Sequence, residues 1–304
     1  MLEAILLTVA TAATPLLLAA IGELVVERSG VLNLGVEGMM LIGAVTGFGV
    51  ALISGSPWLG AIAAVVAGAA FSLLFGFLTL TLVTNQVATG LALTLLGIGL
   101  SGQLGESFVG TPGVRMEAIA IPGLSALPLV GRLLFGQDPL FYVSIALTAA
   151  TAWFLFRTRA GLTLRAVGDS HGSAHALGIK VIAIRYLAVM YGGACAGLAG
   201  AYLSLAYTPQ WVENMTAGRG WIALALTTFA TWRPLRVLLG AYLFGGVTML
   251  QFWLQTAGVA VASQLLAMLP YLATIVVLAL ISRNPAWIRA NMPASLGRPF
   301  HPGA

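Results

Sequence analysis

The sequence predicts an all-α fold, a polytopic transmembrane helical bundle with about nine spans (8–10). Only 8% of the 304 residues are charged and 59% are hydrophobic, whereas about a quarter of a typical soluble domain is charged. The second observation is a set of long runs without a charged residue, at 4–22, 38–105, 139–156, 186–212, 220–232 and 237–282. These runs do not alternate between polar and apolar residues, so they indicate helices rather than a transmembrane β-barrel. We expect the whole of 1–304 to form a single transmembrane domain.

The first half of the chain divides into five spans. A helical span needs about 20 apolar residues, so the run 38–105 holds three of them. Residues 106–138 contain five charged residues and three prolines in the printed sequence, and we interpret them as an external loop with a short re-entrant or interfacial piece. The five spans are predicted at 4–22, 38–55, 58–83, 86–105 and 139–156.

The distribution of basic residues predicts the orientation. The loop 157–185 carries five basic residues against Asp169 alone, and the tail 283–304 carries three arginines, so both are expected in the cytoplasm. Four spans between them, near 186–206, 218–232, 237–256 and 263–282, agree with this because four is even. The run 218–232 is the weakest, since only 13 residues between Arg219 and Arg233 are uncharged. With five spans before the loop, the N-terminus is expected outside.

The first unusual segment lies between the first two spans, at 27–40. It contains three ionisable side chains, Asn33 and three glycines, a mixture that does not suit a continuous membrane helix. Irregular backbone at membrane depth needs burial in protein or a water-filled cavity, which favours a broken helix facing a polar cavity. An ordinary interfacial loop is the alternative. On a helix, Asn33 and Glu37 would share a face and line a solute path; alternatively, Glu37 only pairs with Arg28.

A second glycine-rich interruption lies at 211–220, in the other half of the chain. Paired interruptions in two halves of a membrane protein indicate a translocation path, although an ordinary outer loop has a similar composition. The polar candidates for a solute path are Asn33, Glu37, Asn85, Gln86, Trp211 and Arg219.

The basic loop 157–185 contains a predicted short helix. Asp169 or Ser170 can cap its start, and Gly178 can end it in the left-handed conformation. A capped helix on the cytoplasmic face is suited to docking into a groove of a soluble partner. Two histidines four residues apart, His171 and His175, lack a third ligand nearby, so no metal site is predicted.

Several stretches resemble the permease subunits of ABC importers in the branch that carries simple sugars and nucleosides, within the branched-chain-amino-acid/ribose-type permease family. They are 22–39, which contains Asn33-Leu34-Gly35-Val36-Glu37-Gly38, then 85–93, and the loop from Gly161 to Gly178 running into 192–200. Residues 218–225 and 232–234 add weaker similarity. The Glu-Gly-Met form at 37–39 resembles the nucleoside branch, whereas sugar permeases have an Asp-containing motif there.

This resemblance implies a pore of two permease subunits, two ATPase subunits that drive it, and an external solute-binding protein. It implies a non-identical second permease, the plasma (inner) membrane as location, and no cofactor. The loop 157–185 would be the element that couples to the ATPase. The residues expected to couple are Arg165, Gly168, Asp169, Ala174 and Gly178.

Other function classes have less support in the sequence. There is no phosphate-binding loop, no Ser/His/Asp set and no metal-binding motif, so the chain is not expected to be an enzyme. Cys195 is the single cysteine, which leaves no disulfide or thiolate metal site. An ion-coupled secondary transporter is the main alternative, because Glu23, Glu27 or Glu37 could couple an ion. The basic loop has no role in that alternative. The sequence does not imply binding to nucleic acid.

Overall fold

Helices account for almost all regular structure in residues 2–119, 131–256, 262–282 and 291–301, which are the residues that a computed structural model describes. Within these residues the chain forms no β-strand beyond an isolated bridge between Pro112 and Gln210. The helices are α1 (Leu2–Arg28), α2 (Val36–Ser54), α3 (Pro57–Gly76), α4 (Gln86–Gly105), α5 (Gly131–Phe135), α6 (Pro139–Arg157), α7 (Arg159–Asp169), α8 (His171–Ala176), α9 (Val181–Tyr202), α10 (Arg219–Phe229), α11 (Pro234–Thr256), α12 (Ser263–Ala267) and α13 (Leu269–Ser282).

The predicted all-α membrane architecture is confirmed, but the predicted count of about nine spans is not. In the described part of the chain, seven helices are long and apolar enough to cross a membrane: α1, α2, α3, α4, α6, α9 and α11. The run 218–232 supplies only the 11 helical residues of α10, because Gly218 takes a left-handed conformation (φ 82°) just before it. At 1.5 Å per residue, α10 is about 16 Å long, which is roughly half a hydrocarbon core. The run 263–282 divides into α12 and α13, of 5 and 14 residues.

Helix ends follow the local sequence closely. Gly55 adopts φ 69° after α2, Ser56 accepts a hydrogen bond from Leu59 N, and Pro57 occupies the first turn of α3. Asn85 caps α4 by accepting from Ala88 N. These helix ends agree with the boundaries between the predicted spans 38–55, 58–83 and 86–105.

The centre of the bundle is α2, which is the most buried of the seven long helices and packs on α3, α4 and α9. Glycines allow this close packing. A Cβ on Gly97 of α4 would lie 2.5 Å from the Cα of Gly38 in α2, and a Cβ on Gly43 would overlap the backbone of Gly197 in α9. Without a hydrophobic drive between helices in lipid, such small-residue contacts are what hold neighbouring spans together.

One end of the bundle collects three segments that are far apart in sequence. Gly168, in α7, packs on the carbonyl of Arg28 at the end of α1. The tail residue Ser295 donates its N–H to the carbonyl of Gly168 (2.9 Å). At the opposite end, Met116 N donates to Leu205 O (2.9 Å) beside the Pro112–Gln210 bridge. The loop 157–185 and the tail residues 291–301 therefore lie at the same end, whereas the side of the membrane on which they lie stays a prediction.

Candidate functional site

The first helix break spans residues 29–35. Glu27 and Arg28 complete the last turn of α1, and Glu37 belongs to the first turn of α2, so the break is shorter than the predicted 27–40. Gly30 supplies a positive φ of 88° where the chain leaves α1. The break is deeply buried, since Val31 and Asn33 are both 0% exposed. It is the buried irregular backbone that the residue mixture predicts.

Side chains satisfy the backbone of this break. Leu32 N donates to Gln86 Oε1 (2.8 Å), and Asn33 N donates to Glu23 Oε1 (3.2 Å). Gly35 N donates to the Oδ1 of Asn33 (2.9 Å). Each bond replaces one that a continuous helix would have made, which is why an unwound segment can remain inside the bundle.

Asn33 and Glu37 are both buried, but they do not share a helical face. Asn33 lies in the break, before α2 begins at Val36, so the four-residue spacing has no helical meaning here. Asn33 turns back on the break itself, whereas Glu37 faces the second interruption. The prediction that both line one face is wrong, although each adjoins a break.

Glu37 joins the two breaks. Its Oε1 accepts hydrogen bonds from Thr216 Oγ1 (2.5 Å) and Gly218 N (2.8 Å), and its Oε2 accepts from Gly220 N (2.6 Å). The carboxylate thus occupies the N-terminus of α10, where free N–H groups and the helix dipole favour an anion. Glu37 does not pair with Arg28, whose guanidinium donates to the carbonyls of Trp232 and Asn291.

This Glu37 junction, formed by Glu37, Thr216, Gly218 and Gly220, lies at mid-depth in the bundle. A Cβ on the adjacent Gly38 would be 2.7 Å from the carbonyl oxygen of Leu93, which is near the middle of α4. The half-length helix α10 therefore starts near the level of the α4 midpoint, with its N-terminus directed at α2. Discontinuous helices that begin near the midplane are typical of transporter binding sites.

Of the other predicted path residues, three lie at the two breaks and one does not. Arg219 closes the second break by donating to the carbonyls of Met215 (3.1 Å) and Thr216 (3.2 Å). Trp211 is 1% exposed and packs on α2 beside Phe48. Gln86 supports the first break, but Asn85 is exposed and caps α4 instead.

The structure therefore brings five of the six candidates to the two breaks and leaves Asn85 outside them. Their contact with a solute stays a prediction. Thr216 could not be identified from the sequence, because nothing in the sequence pairs it with Glu37. Glu23 is predicted only as a possible ion-coupling carboxylate, whereas the structure also places it beside the first break.

Unpartnered polar atoms border both breaks. In the described residues, the buried side-chain atoms without a hydrogen-bond partner are Glu23 Oε2, Gln86 Nε2, Trp211 Nε1 and Arg165 Nε. The first two lie beside the first break, and Trp211 precedes the second. A buried polar group without a partner is costly, so water or a polar solute that reaches Glu23 Oε2 or Gln86 Nε2 would bind favourably. Trp211 Nε1 instead lies against Gly105 at the end of α4.

The predicted capped helix is present in the loop 157–185. Ser170 accepts from Ser173 N (3.3 Å) at the start of α8, and Gly178 has φ 81° after its end. Ala174 does not belong to an exposed docking face, because it is 3% exposed and packs between Val167 and Val181. The exposed face of α8 continues into Leu177, whose side chain is 81% exposed.

The remaining coupling candidates have different environments. Gly168 is buried against α1, Asp169 is exposed, and Arg165 places its guanidinium 5.1 Å from the ring centroid of Phe156. Of the five, Asp169 and Gly178 are accessible to a partner. Contact with an ATPase stays a prediction for all of them.

Comparison with known proteins gives a consistent result. The family profile described as the permease component of branched-chain amino acid transport systems matches residues 5–281. The chain is 42% identical over 308 residues to the putative glucose ABC transporter permease protein TsgC13 of Haloferax volcanii, covering 94% of this chain and 93% of that protein.

Two further relatives are named as permease proteins of nucleoside transporters. The chain is 36% identical to the nucleoside ABC transporter permease protein NupC of Lactococcus lactis, over 88% of each chain. It is 35% identical to the guanosine ABC transporter permease protein NupQ of Bacillus subtilis, over 77% of each chain. No solved structure matches the chain.

Proposed function

Because the chain belongs to the family of permease components of branched-chain amino acid transport systems, we propose that it carries a solute with a sugar ring, a nucleoside or a simple sugar, past the Glu37 junction. The chain is a multi-pass permease subunit of an ABC importer, and it is not itself an enzyme. It works with ATPase subunits, a second permease and a substrate-binding protein. An ion-coupled secondary transporter is disfavoured, since the named relatives are ABC transporter permeases.

The observation that carries this path is the junction itself. A carboxylate with three donors has its charge compensated within the protein, so a neutral solute fits the site better than a cation. Gln86 Nε2, beside the first break, is a buried donor that can bind hydroxyl or carbonyl oxygens. Hydroxyl groups are common to both solute classes, and a purine base adds carbonyl and ring-nitrogen acceptors.

We also propose an orientation for the chain in the membrane. In the proposed topology the N-terminus is outside, and the loop 157–185 and the tail are in the cytoplasm of a cell bounded by the plasma membrane. The segment 208–218 enters from the outer side as far as the Glu37 junction, and α10 completes that crossing. With α12 and α13 as a further crossing, the chain passes through the membrane nine times although only seven described helices are full-length spans. The basic residues of the loop, and the hydrogen bond from Arg185 of the loop to the carbonyl of Arg298 in the tail, support this topology.

Uptake into reconstituted vesicles tests the function. The permease, its partner permease, the ATPase and the binding protein would be assembled, and ATP-dependent uptake of labelled guanosine and of labelled glucose measured separately. A matched control replaces the phosphate-loop lysine of the ATPase. We expect one of the two solutes to accumulate only with the intact ATPase; accumulation that ignores ATP, or of neither solute, contradicts the proposal.

Variants at the breaks test the path. Asn33→Ala removes an amide and Glu37→Gln removes a charge, whereas Glu213→Gln makes the same chemical change at an exposed position of the second break. We expect altered apparent affinity or rate in the first two variants and not in the third. If assembled Asn33→Ala and Glu37→Gln complexes carry solute like the unmodified protein, the two residues do not line the path.

A further inference from the structure

We propose that residues 291–301 form a coupling strap, a segment that ties the docking helix α8 to the first helix break. This inference rests on the proposed function, because it concerns how movement of α8 reaches the solute path. The strap is argued from three sets of contacts that converge within these 11 residues. The resemblance to permeases implies coupling through the loop 157–185 and assigns nothing to the tail.

The first set joins the strap to α1 and the first break. Gly297 N donates to the carbonyl of Gly30 (3.1 Å), and the carbonyl of Asn291 accepts from Arg28 Nη1 (2.9 Å). Gly30 is the left-handed residue at which α1 gives way to the break. The strap thus holds the point where the buried irregular segment begins.

The second set joins the strap to the helix that precedes α8. Both the N–H and the hydroxyl of Ser295 donate to the carbonyl of Gly168 in the last turn of α7. Ser295 is 3% exposed, so these bonds are shielded from water. Gly168 itself has no room for a Cβ, because Arg28 O lies against it. Break, α7 and strap therefore meet without a gap.

The third set joins the strap to α8. The centroid of the Phe300 ring lies 5.3 Å from the ring centroid of His171 and 5.3 Å from that of His175, and both pairs have edge-on geometry. Phe300 also packs on the small apolar cluster of Val167, Ala174 and Val181. The inward side of α8 is thus seated on the strap.

Arg185, at the start of α9, connects all three elements. Its guanidinium donates to Ser29 O in the break (3.1 Å) and to Arg298 O in the strap (3.3 Å), and its Nη2 lies 3.2 Å from His171 Nδ1 in α8. Arg185 is 1% exposed. A single buried cation therefore makes the relative positions of break, strap and docking helix interdependent.

The strap leaves the outer face of α8 free. Gly172, Ser173, Ala176 and Leu177 are all exposed, whereas the strap contacts His171, His175 and the apolar cluster. A partner can therefore dock on α8 with the strap in place. The geometry indicates a link that moves with α8, rather than a cover that must leave before docking.

Two substitutions in the strap and a matched control test this. Ser295→Ala removes the shielded hydroxyl, Phe300→Ala removes the ring contacts, and Met292→Ala truncates a 44% exposed side chain of the same segment. The readouts, on the full reconstituted importer, are ATP hydrolysis, solute transported per ATP, and affinity of the ATPase for the permease.

We expect Ser295→Ala to lower solute transported per ATP by about fivefold, the factor that one lost net hydrogen bond of about 1 kcal/mol corresponds to. Phe300→Ala, which removes two ring contacts, should lower the same ratio. The affinity of the ATPase for the permease should be unchanged in both variants. Met292→Ala should leave the solute transported per ATP unchanged. A transport ratio in both strap variants equal to that of the unmodified importer overturns the proposal. The proposal is also overturned if the variants lower only the amount of assembled complex, because the tail would then contribute to folding and not to coupling.

A cross-link separates a strap from a removable cover. Cysteines at His175 and Phe300, in a Cys195→Ser background, would be joined by a short bifunctional thiol reagent. The strap predicts that cross-linking preserves or restores transport per ATP; abolished transport would mean that the tail must detach, which contradicts it. Failure of the proposed function would appear instead as absent ATP-driven uptake in the unmodified importer.

Discussion

The effect of replacing Glu37 by glutamine on the stability of the permease tests whether the Glu37 junction holds the second break in place. The carboxylate accepts three hydrogen bonds at 2.5, 2.8 and 2.6 Å and is 3% exposed. A glutamine amide offers only one acceptor oxygen, so its NH₂ group must face at least one of the three donors. The variant loses one charge-assisted bond and leaves one buried donor without a partner, a cost of about 3 kcal/mol.

Thermal unfolding of the purified permease, followed by loss of monodisperse protein in detergent, measures this cost. A loss of this size corresponds to roughly 5 °C in apparent melting temperature. Thr216→Val, which removes one of the three donors, should give a smaller decrease, and exposed Glu213→Gln should give none. If the Glu37→Gln and Glu213→Gln variants have the same apparent melting temperature, the Glu37 carboxylate does not stabilise the second break, and the reasoning fails.

Three further outcomes follow from packing, docking and charge. Gly97→Ala should lower the melting temperature, because its Cβ would meet backbone at 2.5 Å, whereas Gly99→Ala on the same helix has nothing within 4 Å and should be neutral or stabilising. Leu177→Ser should weaken ATPase binding about tenfold in a pull-down titration, and Ile53→Ser, equally exposed at the far end of α2, should not. Burial and two neighbouring arginines lower the pKa of His171 below its ordinary value of 6.5, so the folded protein disfavours protonation of this ring. The tail contact should therefore be fully stable above about pH 6.5 and weaken as the pH falls below it, which hydrogen exchange of the tail would reveal.

Local features of this fold could be predicted because their causes are local. Gly55, Ser56 and Pro57 end one helix and start the next through their own conformational preferences, and Ser170 and Gly178 bound α8 in the same way. These boundaries need no knowledge of the rest of the chain.

The partners of the breaks could not be predicted because they depend on distant contacts. Thr216 is 179 residues from Glu37, and no pattern in either segment identifies the other. The burial of Ala174, one of the residues expected to couple to the ATPase, likewise depends on how α7, α8 and α9 pack, so the sequence alone does not reveal it.

The predicted span count is not confirmed for a related reason. An apolar run reports that residues can lie in a membrane, not that they are all helical. In 218–232 the backbone enters α10 from the turn at Gly218, which leaves a helix of 11 residues. The anion site that this short helix creates for Glu37 depends on that shortening.

Protection of the two breaks by solute tests the central claim, that solute passes the Glu37 junction. Single cysteines at Leu34 in the first break and Ala217 in the second, in a Cys195→Ser background, would be labelled with a small thiol reagent in the assembled importer. Exposed Ile53 would carry the control cysteine. The account predicts that the transported solute slows labelling at both breaks and leaves the control unchanged. Equal labelling rates with and without solute, in variants that still transport it, would contradict the account.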